Sequence, residues 1–276
     1  MDADVLASWD EGAAKRAVVD FVTGSATEGS RSFVPAAERI AAFDNDGTLW
    51  VEQPAPVQTG LLVGKLVGQV KADPSLASEE PYGAIVGGDE AFLQALAQQV
   101  PEAVEAFLVG VGKAWEGTTP EEYEAEVVAF LDAHQHDRFG RPFTDLVYQP
   151  MLELFELLRA HGWRIYVCSG GGRDFMRVIA EDTWGILREN VIGSAPEFSY
   201  EEGRLVRRNE LRGPIALGAG KPEHLFARTG RLPRFGAGNG DVDIEMLEVA
   251  DFALVVVHDD AEREYAYTEA APDRRG

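Results

Sequence analysis

Short apolar runs alternate with amphipathic helical patterns along most of the chain, which has 276 residues. Residues 150–160 form one such helical pattern, which ends at Gly162. Five runs have the length and apolar content of buried strands: 40–43, 164–168, 191–192, 234–237 and 253–257. This alternation of strands and helices predicts an α/β fold whose core is a doubly wound, Rossmann-like parallel sheet.

A long segment interrupts the alternation after the first predicted strand. Residues 52–149 have a mostly helical pattern, with a strong helix start at Thr119, and no strand pattern is evident among them. We therefore predict an α/β core formed by residues 1–51 and 150–276, and an inserted helical cap formed by residues 52–149.

Three shorter signals predict local structure. Ser8 and Glu11 have the spacing of a capping box, which predicts a helix that begins at Ser8. Residues 201–204, with the sequence Glu-Glu-Gly-Arg, predict the turn of a β-hairpin. Cys168 is the only cysteine and lies in an apolar strand pattern, so we expect a buried thiol and no intrachain disulfide.

Acidic residues outnumber basic ones by 47 to 25, which gives a formal net charge of −22. Such a surface repels nucleic acid and anionic membranes, so we expect neither as a partner. The N-terminus lacks a signal-peptide pattern and no apolar stretch is long enough to cross a bilayer, so we expect a cytoplasmic protein. An anion site would need positive charge from a metal ion, a lysine or a helix N-terminus. The oligomeric state stays open.

The segment after the first predicted strand carries the strongest chemical signal. Asp44 and Asp46 stand two residues apart where the strand ends, which is where open α/β sheets place their active sites. One carboxylate can attack while the other moves a proton, and together they can hold a divalent cation. Gly47 allows a tight turn and Thr48 adds a hydroxyl. A plain Asp/Asn/Gly turn is the alternative.

Three further segments place polar groups near strand ends or helix starts. Ser169 and Gly170 follow a strand and precede a helix, an arrangement that can bind phosphate. Lys221 stands at a helix start, where a positive charge is unfavourable unless it serves another purpose. Residues 238–243 form a Gly-rich turn whose Asn and Asp side chains can bind Mg²⁺. Taken singly, each could be a helix cap or a surface group.

The segment Phe43–Trp50 resembles the D-x-D-G-T motif of the haloacid dehalogenase superfamily, and the other segments follow in the order of that superfamily. Residues 138–175 and the run 258–266 resemble a phosphoserine-phosphatase-like branch. The resemblance implies an enzyme, a Mg²⁺-dependent phosphomonoester hydrolase that acts on a small phosphorylated metabolite. It assigns four catalytic roles: Asp44 as the nucleophile, Asp46 as general acid and base, Ser169 as a phosphate ligand, and Lys221 as a bridge between phosphate and Asp44.

The same resemblance implies a Mg²⁺ site formed by Asp44, by the backbone carbonyl of Asp46 and by the turn at residues 238–243, which is the fourth motif. That motif departs from the usual G-D-x-x-x-D pattern, because Asn239 stands where the first aspartate is expected. Asp243 takes the second position, and a shift in register would bring in Asp241 instead. The predicted metal ligands are therefore Asp44, Asp46, Asn239, Asp241 and Asp243.

A second set of residues is predicted to bind the substrate: Thr48, Glu52, Gly170, Arg138 and Arg141. Glu52 lies near the position at which serine-phosphate phosphatases recognise an ammonium group, so a phosphoserine-like substrate is the first expectation. Arg138 and Arg141 could close over a phosphate or carboxylate from the cap. The alternatives are that Glu52 is a solvated acid and that the two arginines form surface salt bridges.

Two other functions stay open at this point. A phosphotransferase or phosphomutase of the same superfamily would keep all four motifs. A catalytically weak protein that binds a phosphorylated ligand would explain Asn239, although it would not need Asp46 beside a nucleophile. A dehalogenase is disfavoured, since it has no use for an acid at Asp46.

Overall fold

The computed structural model describes residues 5–97 and 101–267. Its strands are β1 (Ile40–Phe43), β2 (Gln135–His136), β3 (Arg141–Pro142), β4 (Arg164–Gly172), β5 (Val191–Ser194), β6 (Pro196–Glu201), β7 (Arg204–Leu211), β8 (Phe235–Gly238) and β9 (Phe252–Val255). Its helices are α1 (Ala13–Ser25), α2 (Val57–Ala72), α3 (Tyr82–Gly87), α4 (Glu90–Ala97), α5 (Pro101–Trp115), α6 (Pro120–Ala133), α7 (Gln149–Ala160), α8 (Arg173–Trp184), α9 (Gly220–Thr229) and α10 (Ile244–Glu248).

A parallel sheet of five strands, in the order β5-β4-β1-β8-β9, confirms the predicted α/β fold. The chain runs from β1 outward through β4 to β5, then returns to build β8 and β9 on the other side of β1. The topological switch point therefore lies beside β1, where sheets of this kind bind their ligands. The sheet places the candidate chemistry at the carboxyl end of its central strand.

Apolar packing fixes β1 at the centre of the sheet. All four of its residues are buried, as expected of a strand covered on both faces. The Phe43 ring packs edge-on against Phe155 of α7, with centroids 4.8 Å apart, and stacks on Phe235 of β8 at 5.6 Å. Buried side chains of this size each contribute about 1.5–3 kcal/mol to stability. The loop that follows β1 thus starts from a rigid base.

Strand β4 extends past the predicted end at Cys168 and includes the glycines up to Gly172. The register with β5 shifts between Ser169 and Gly172, which lets the glycine segment continue along the sheet edge. Gly193 of β5 makes this possible, because a Cβ there would lie 2.7 Å from the Gly171 carbonyl oxygen. Cys168 itself is buried, as predicted, and burial raises the pKa of its thiol to about 12.

The structure divides into two compact units. Unit 1 contains the parallel sheet and consists of the chain up to Pro54, Gln135–Ser194, and the chain from Ile215 onward, whereas unit 2 consists of Ala55–His134 and Ala195–Pro214. These limits differ from the predicted cap at 52–149. Residues 135–149 belong with the sheet because their backbone pairs with the segment after β1, for example through the Val51 N–H and the Leu146 carbonyl. That unit 2 acts as a cap stays a prediction.

The hairpin β6–β7 is part of unit 2 and confirms the turn predicted at 201–204, where Glu201 pairs with Arg204. Both residues between them have positive φ, as a type I′ turn requires. The Arg207 guanidinium of β7 lies 4.0 Å from the ring centroid of Tyr123 in α6. The Arg207 backbone also pairs with Gly117 and Thr118, so two distant segments build one unit.

Two predicted helix starts have different outcomes. Thr119 and Glu122 form both hydrogen bonds of a capping box, which confirms the start of α6. The capping box predicted at Ser8 is wrong: α1 begins at Ala13, and the backbone N–H and hydroxyl of Ser8 both donate to Glu153. In the part of the chain that is described, none of the helices is both long and apolar enough to span a bilayer.

Candidate active site

The loop after β1, residues 44–50, is here called the aspartate loop. It is a tight turn that presents Asp44 and Asp46. The Asp44 N–H donates to the Ala237 carbonyl of β8 at 2.8 Å and so extends the pairing of the two strands. The Asp46 carboxylate accepts a 2.8 Å hydrogen bond from the Trp50 indole, which is itself buried. Gly47 has a φ of +74°, a conformation that favours glycine. The turn is therefore held at both of its aspartates.

Lys221, Asp44 and Asp243 form an ionic cluster in the interior. The Lys221 ammonium lies 2.5 Å from Asp44 Oδ1 and also contacts Asp243 Oδ1. The Lys221 and Asp243 side chains are fully buried, and that of Asp44 is 10% exposed. The second oxygen of Asp243 accepts the N–H groups of Asn239 and Gly240, each at 2.9 Å. Asp243 thus holds both the lysine and the loop after β8.

Charges in and beside the cluster shift the pKa values of its members. Burial opposes the charged form of Lys221, but the carboxylates of Asp243 and Asp44 outweigh it and raise the pKa of the ammonium. Burial and the charge of Asp243 raise the pKa of Asp44, and the Lys221 ammonium opposes that shift. Burial raises the pKa of Asp46, and the hydrogen bond from Trp50 opposes this shift. A raised pKa suits a carboxyl group that must give up a proton near neutral pH.

Ser169 lies at the same edge of the sheet, on the strand next to β1. Phe43 is opposite Val167 in the β1–β4 register, so Ser169 follows at the level of the aspartate loop. The buried Ser169 hydroxyl accepts the Gly171 N–H at 3.1 Å. A Cβ at Gly170 would lie 2.0 Å from the Leu217 side chain, so a larger residue there would require Leu217 to move. Hydroxyl and backbone groups before α8 form a surface suited to phosphate oxygens.

A second set of contacts, here called the amide network, joins the same two loops through Asn239. The Thr48 hydroxyl donates to Asn239 Oδ1 at 3.0 Å. The Asn239 amide nitrogen and the Tyr267 hydroxyl both donate to Glu52 Oε2, at 3.2 and 3.0 Å. A Cβ at Gly47 would lie 2.1 Å from the same amide nitrogen. The fourth motif thus keeps Asn239 buried beside the turn, whereas Asp241 is exposed.

The C-terminal segment of unit 1 adds residues for which the sequence pattern predicts no role. His258 Nε2 lies 2.7 Å from the Gly47 carbonyl oxygen, and Nδ1 lies 3.0 Å from Glu264. The other Glu264 oxygen accepts the Tyr148 hydroxyl at 2.7 Å. The Tyr267 ring stacks on His258, with centroids 4.6 Å apart. The run 258–266 is the only sequence signal, and it does not indicate which atom His258 reaches.

Arg138 and Arg141 lie in unit 1, not in the cap from which they were expected to act. The Arg138 guanidinium donates to the carbonyls of Ala261 and Glu262 and lies 4.7 Å from the Tyr265 ring centroid. Arg138 therefore holds the turn that follows His258. Arg141 is exposed and lies 3.6 Å from Asp145. A substrate-binding role for either arginine stays a prediction.

The oxygen donors of the aspartate loop fit Mg²⁺. Within the described residues, no group of three or more His, Cys, Asp or Glu side chains could hold a metal ion. Mg²⁺ needs only one or two carboxylates together with neutral oxygens and water, which Asp44, the Asp46 backbone and Asn239 could provide. The Asn45 side-chain oxygen is buried without a hydrogen-bond partner, a further oxygen donor in this loop. Asp243 is less suited, since its oxygens already accept from Lys221, Asn239 and Gly240, whereas Asn239 Oδ1 accepts only from Thr48 among the residues that the structure describes.

Several solved structures resemble this one. A conserved protein of unknown function from Anaerococcus prevotii aligns with a TM-score of 0.60 at 15% identity, over 95% of this chain and 92% of its own. A protein of unknown function from Bordetella pertussis aligns with a TM-score of 0.53 at 19% identity, over 78% of this chain and 88% of its own. A probable phosphoserine phosphatase from Vibrio cholerae aligns with a TM-score of 0.46 at 13% identity, over 86% of this chain and 62% of its own. The likeness to the first two structures shows the fold alone.

Comparison by sequence gives the family. No curated protein matches the chain. The family model of haloacid dehalogenase-like hydrolases matches residues 41–248, well over half of the chain. That range contains Asp44, Ser169, Lys221 and Asp243, in the order that the motifs predict. The chain therefore belongs to the haloacid dehalogenase-like hydrolase family.

Proposed function

We propose that this hydrolase is a Mg²⁺-dependent phosphatase that cleaves small phosphomonoesters through an aspartyl-phosphate on Asp44. The contact between the Lys221 ammonium and Asp44 at the sheet edge carries the proposal. A buried ammonium in this position offsets the repulsion between a carboxylate nucleophile and the phosphate that it attacks. A protein that only binds phosphate would not need a carboxylate beside its cation.

In the first half-reaction, Asp44 attacks phosphorus. Lys221 contacts Oδ1, so Oδ2 is the oxygen available for attack. The bond from phosphorus to the ester oxygen breaks, and Asp46 donates its proton to the departing alcohol. Ser169 and the backbone before α8 hold the phosphate oxygens. Asp44, the Asp46 carbonyl and Asn239 would hold Mg²⁺, whose charge would further neutralise the phosphate.

In the second half-reaction, water attacks the phosphorus of the aspartyl-phosphate. Asp46, now ionised, takes a proton from that water, and the bond between phosphorus and the Asp44 oxygen breaks. Inorganic phosphate leaves and both carboxyl groups return to their starting states. Asp46 thus serves as acid and then as base, which requires its carboxylate to keep one position throughout. The hydrogen bond from Trp50 supports that requirement.

The substrate class follows from the inserted segments and from Glu52. An insertion between the first two motifs is expected to exclude bulky substrates, so we propose small metabolites. Phosphoserine is one candidate, but Glu52 Oε2 already accepts hydrogen bonds from Asn239 and Tyr267. An ammonium group would have to compete with both donors. The proposal therefore extends to phosphomonoesters that carry no amine.

Hydrolysis of p-nitrophenyl phosphate with Mg²⁺ or with a chelator tests the proposal. We expect metal-dependent turnover that falls by about 10³-fold or more in Asp44→Asn, as loss of a nucleophile does. Asp20→Asn, an exposed position on α1, is the matched control and should keep wild-type activity. Equal turnover by the two variants would overturn the nucleophile assignment.

The competing functions give different products in the same assay. Glycerol as a second acceptor separates hydrolysis from transfer, because a phosphotransferase would release more nitrophenol than inorganic phosphate. A protein that only binds its ligand would bind phosphate, in calorimetry, without turnover of any phosphomonoester. We expect equal release of nitrophenol and phosphate.

A further inference from the structure

His258 reaches the aspartate loop from outside the four motifs. Its Nε2 atom lies 2.7 Å from the carbonyl oxygen of Gly47, the residue that follows Asp46. We propose that His258 is a positioning residue, which fixes the catalytic loop through the Gly47 carbonyl and is itself oriented by Glu264. This inference rests on the proposed phosphatase function, in which Asp46 must act as acid and then as base.

The ring of His258 is held at both nitrogens and on one face. The side chain is 3% exposed. Glu264 lies 3.0 Å from Nδ1, and the Tyr148 hydroxyl fixes the other oxygen of that carboxylate. The Tyr267 ring stacks on the imidazole with an interplanar angle of 7°. A ring restrained in this way can transmit a fixed direction to the carbonyl that it contacts.

The two partners of the ring define its protonation. A backbone carbonyl and an ionised carboxylate only accept hydrogen bonds, so both ring nitrogens carry a proton when both contacts form. Burial opposes this charge, but Glu264 and the Gly47 carbonyl outweigh it and raise the pKa of His258. The titratable groups that face the ring are Glu264, Tyr148 and Tyr267, and the charge of Glu52 also acts on it. A cationic donor gives a stronger hydrogen bond than a neutral one.

The contact with His258 restrains the Gly47 carbonyl in a turn whose Gly47 N–H and Asp46 carboxylate already have partners. The Gly47 N–H donates to the Trp50 carbonyl at 2.9 Å, and the Trp50 indole donates to the Asp46 carboxylate. Without His258, the Gly47 carbonyl would lose its protein donor. Glycine has the widest backbone freedom, so its peptide plane is the part of the loop that most needs such a restraint.

Two substitutions of His258 separate the effect of the Nε2 contact with Gly47 from that of the Nδ1 contact with Glu264. In glutamine the amide nitrogen can occupy the place of Nε2, so His258→Gln keeps a donor for Gly47 and loses the contact with Glu264. In asparagine the amide nitrogen lies nearer the backbone, in the place of Nδ1, so His258→Asn does the opposite. Both variants remove the ring and its stacking on Tyr267.

Steady-state kinetics of the two variants on p-nitrophenyl phosphate is the first readout. We expect His258→Asn to lower kcat by about 10- to 100-fold with little change in KM, because a small displacement of a catalytic group costs this much. His258→Gln should keep kcat within about threefold of wild type, since its amide still donates to Gly47. Equal losses in both variants, or a loss confined to KM, would overturn the proposal.

His136 provides a matched control. Taken as a whole residue, His136 is 3% exposed and His258 is 6% exposed, and the Nε2 atom of His136 lies 2.8 Å from the Gln53 carbonyl oxygen. We expect His136→Asn to lower the melting temperature while its kcat stays within about twofold of wild type, because loss of one buried hydrogen bond affects stability and not the loop. A fall in kcat as large as that of His258→Asn would mean that stability alone explains both.

Amide hydrogen exchange over residues 44–50 is the second readout and needs no activity. We expect faster exchange in His258→Asn than in wild type, and little change in His258→Gln. If wild type cleaves no phosphomonoester but this exchange pattern holds, the proposed function fails and the positioning contact stands. If exchange is the same in all three proteins, the positioning contact fails whatever the activity.

Discussion

The ionic cluster and the amide network connect the same two loops, those after β1 and β8, but in different ways. In the cluster, one ammonium faces the carboxylates of Asp44 and Asp243 with almost no access to water. In the network, the neutral side chain of Asn239 links a hydroxyl to Glu52. We infer that the charge of Lys221 serves the proposed reaction, whereas the Asn239 amide holds the two loops in position.

The largest effect should follow from removing the charge at the centre of the cluster. Lys221→Met leaves two buried carboxylates without their counterion, so we expect a loss of about 3–5 kcal/mol in the free energy of unfolding. Phosphatase activity should fall below detection. Urea unfolding and p-nitrophenyl phosphate hydrolysis measure the two effects.

Lys65→Met is the control for that substitution. Lys65 forms an ion pair of 2.7 Å with Glu126 in unit 2, where both side chains are partly exposed. Such a pair contributes about 0–1 kcal/mol. Similar losses of stability in the two lysine variants would contradict the special status of the cluster.

The amide network should be most sensitive at Gly47. A Cβ there would meet the Asn239 amide nitrogen at 2.1 Å, on a backbone with φ of +74°. We expect Gly47→Ala to lower kcat by about 10²-fold, because it displaces the loop that carries Asp46. Gly117→Ala carries the same backbone strain at φ +83° with open space around it, so it should lose stability without losing activity. Indistinguishable kcat values would count against the network.

A change of charge at Asn239 tests whether the network must stay neutral. In Asn239→Asp a second carboxylate would stand at the 3.2 Å contact with Glu52, and the repulsion should cancel much of any gain in Mg²⁺ affinity. Combining it with Glu52→Gln removes that repulsion. We expect the double variant to bind Mg²⁺ about tenfold more tightly than Asn239→Asp alone, which is about 1.4 kcal/mol. Calorimetry would refute this if the two affinities agree.

The smallest effect should appear in the dependence of stability on pH. The pKa of His258 is raised in the folded state, so its contribution is complete below the unfolded value of about 6.5 and is lost as pH rises through the folded pKa. Hydrogen bonds from His258 and Tyr148 outweigh burial and lower the pKa of Glu264, whose contribution is lost as pH falls through that value. Between these limits the pair is intact.

Urea unfolding at pH 6 and pH 9 measures the basic side of this window. We expect the advantage of wild type over His258→Gln to shrink by about 1 kcal/mol between the two pH values, since the glutamine does not titrate. His136→Gln is the comparison at a second buried histidine. A difference that stays constant with pH would show that the His258–Glu264 pair does not carry charge in the folded protein.

The sequence predicted the sheet well because each strand is a separate apolar run. The motif order singled out Asp44 and Lys221 as candidates, but their contact could not be predicted, because it depends on a fold in which β4 and β8 pair with opposite sides of β1. The extension of β4 to Gly172 was missed, since glycines give no strand signal and only the neighbouring Gly193 makes room for them. The capping box at Ser8 failed because Glu153, far along the chain, competes for its donors.

The residues that contact the aspartate loop could not be predicted from the sequence. The run 258–266 is visibly polar in the sequence. The contact between His258 and Gly47, however, joins positions 211 residues apart. The pattern of apolar and polar residues does not predict a contact of this kind. The same holds for the hairpin at 196–211, whose turn is visible in the sequence but whose place in unit 2 depends on Arg207 and its aromatic partner Tyr123. The strands and the turn were predictable from local patterns, whereas these side-chain contacts between distant segments were not.

The divided construction of unit 2 has a consequence for the order in which the chain is made. Its first segment is complete at His134, whereas the segment that contains the hairpin ends only at Pro214. At a synthesis rate of about 5–20 residues per second, the helical part waits several seconds for its missing strands. During that time the face of α6 that carries Tyr123 lacks its Arg207 partner, and surface exposed in this way during synthesis favours aggregation.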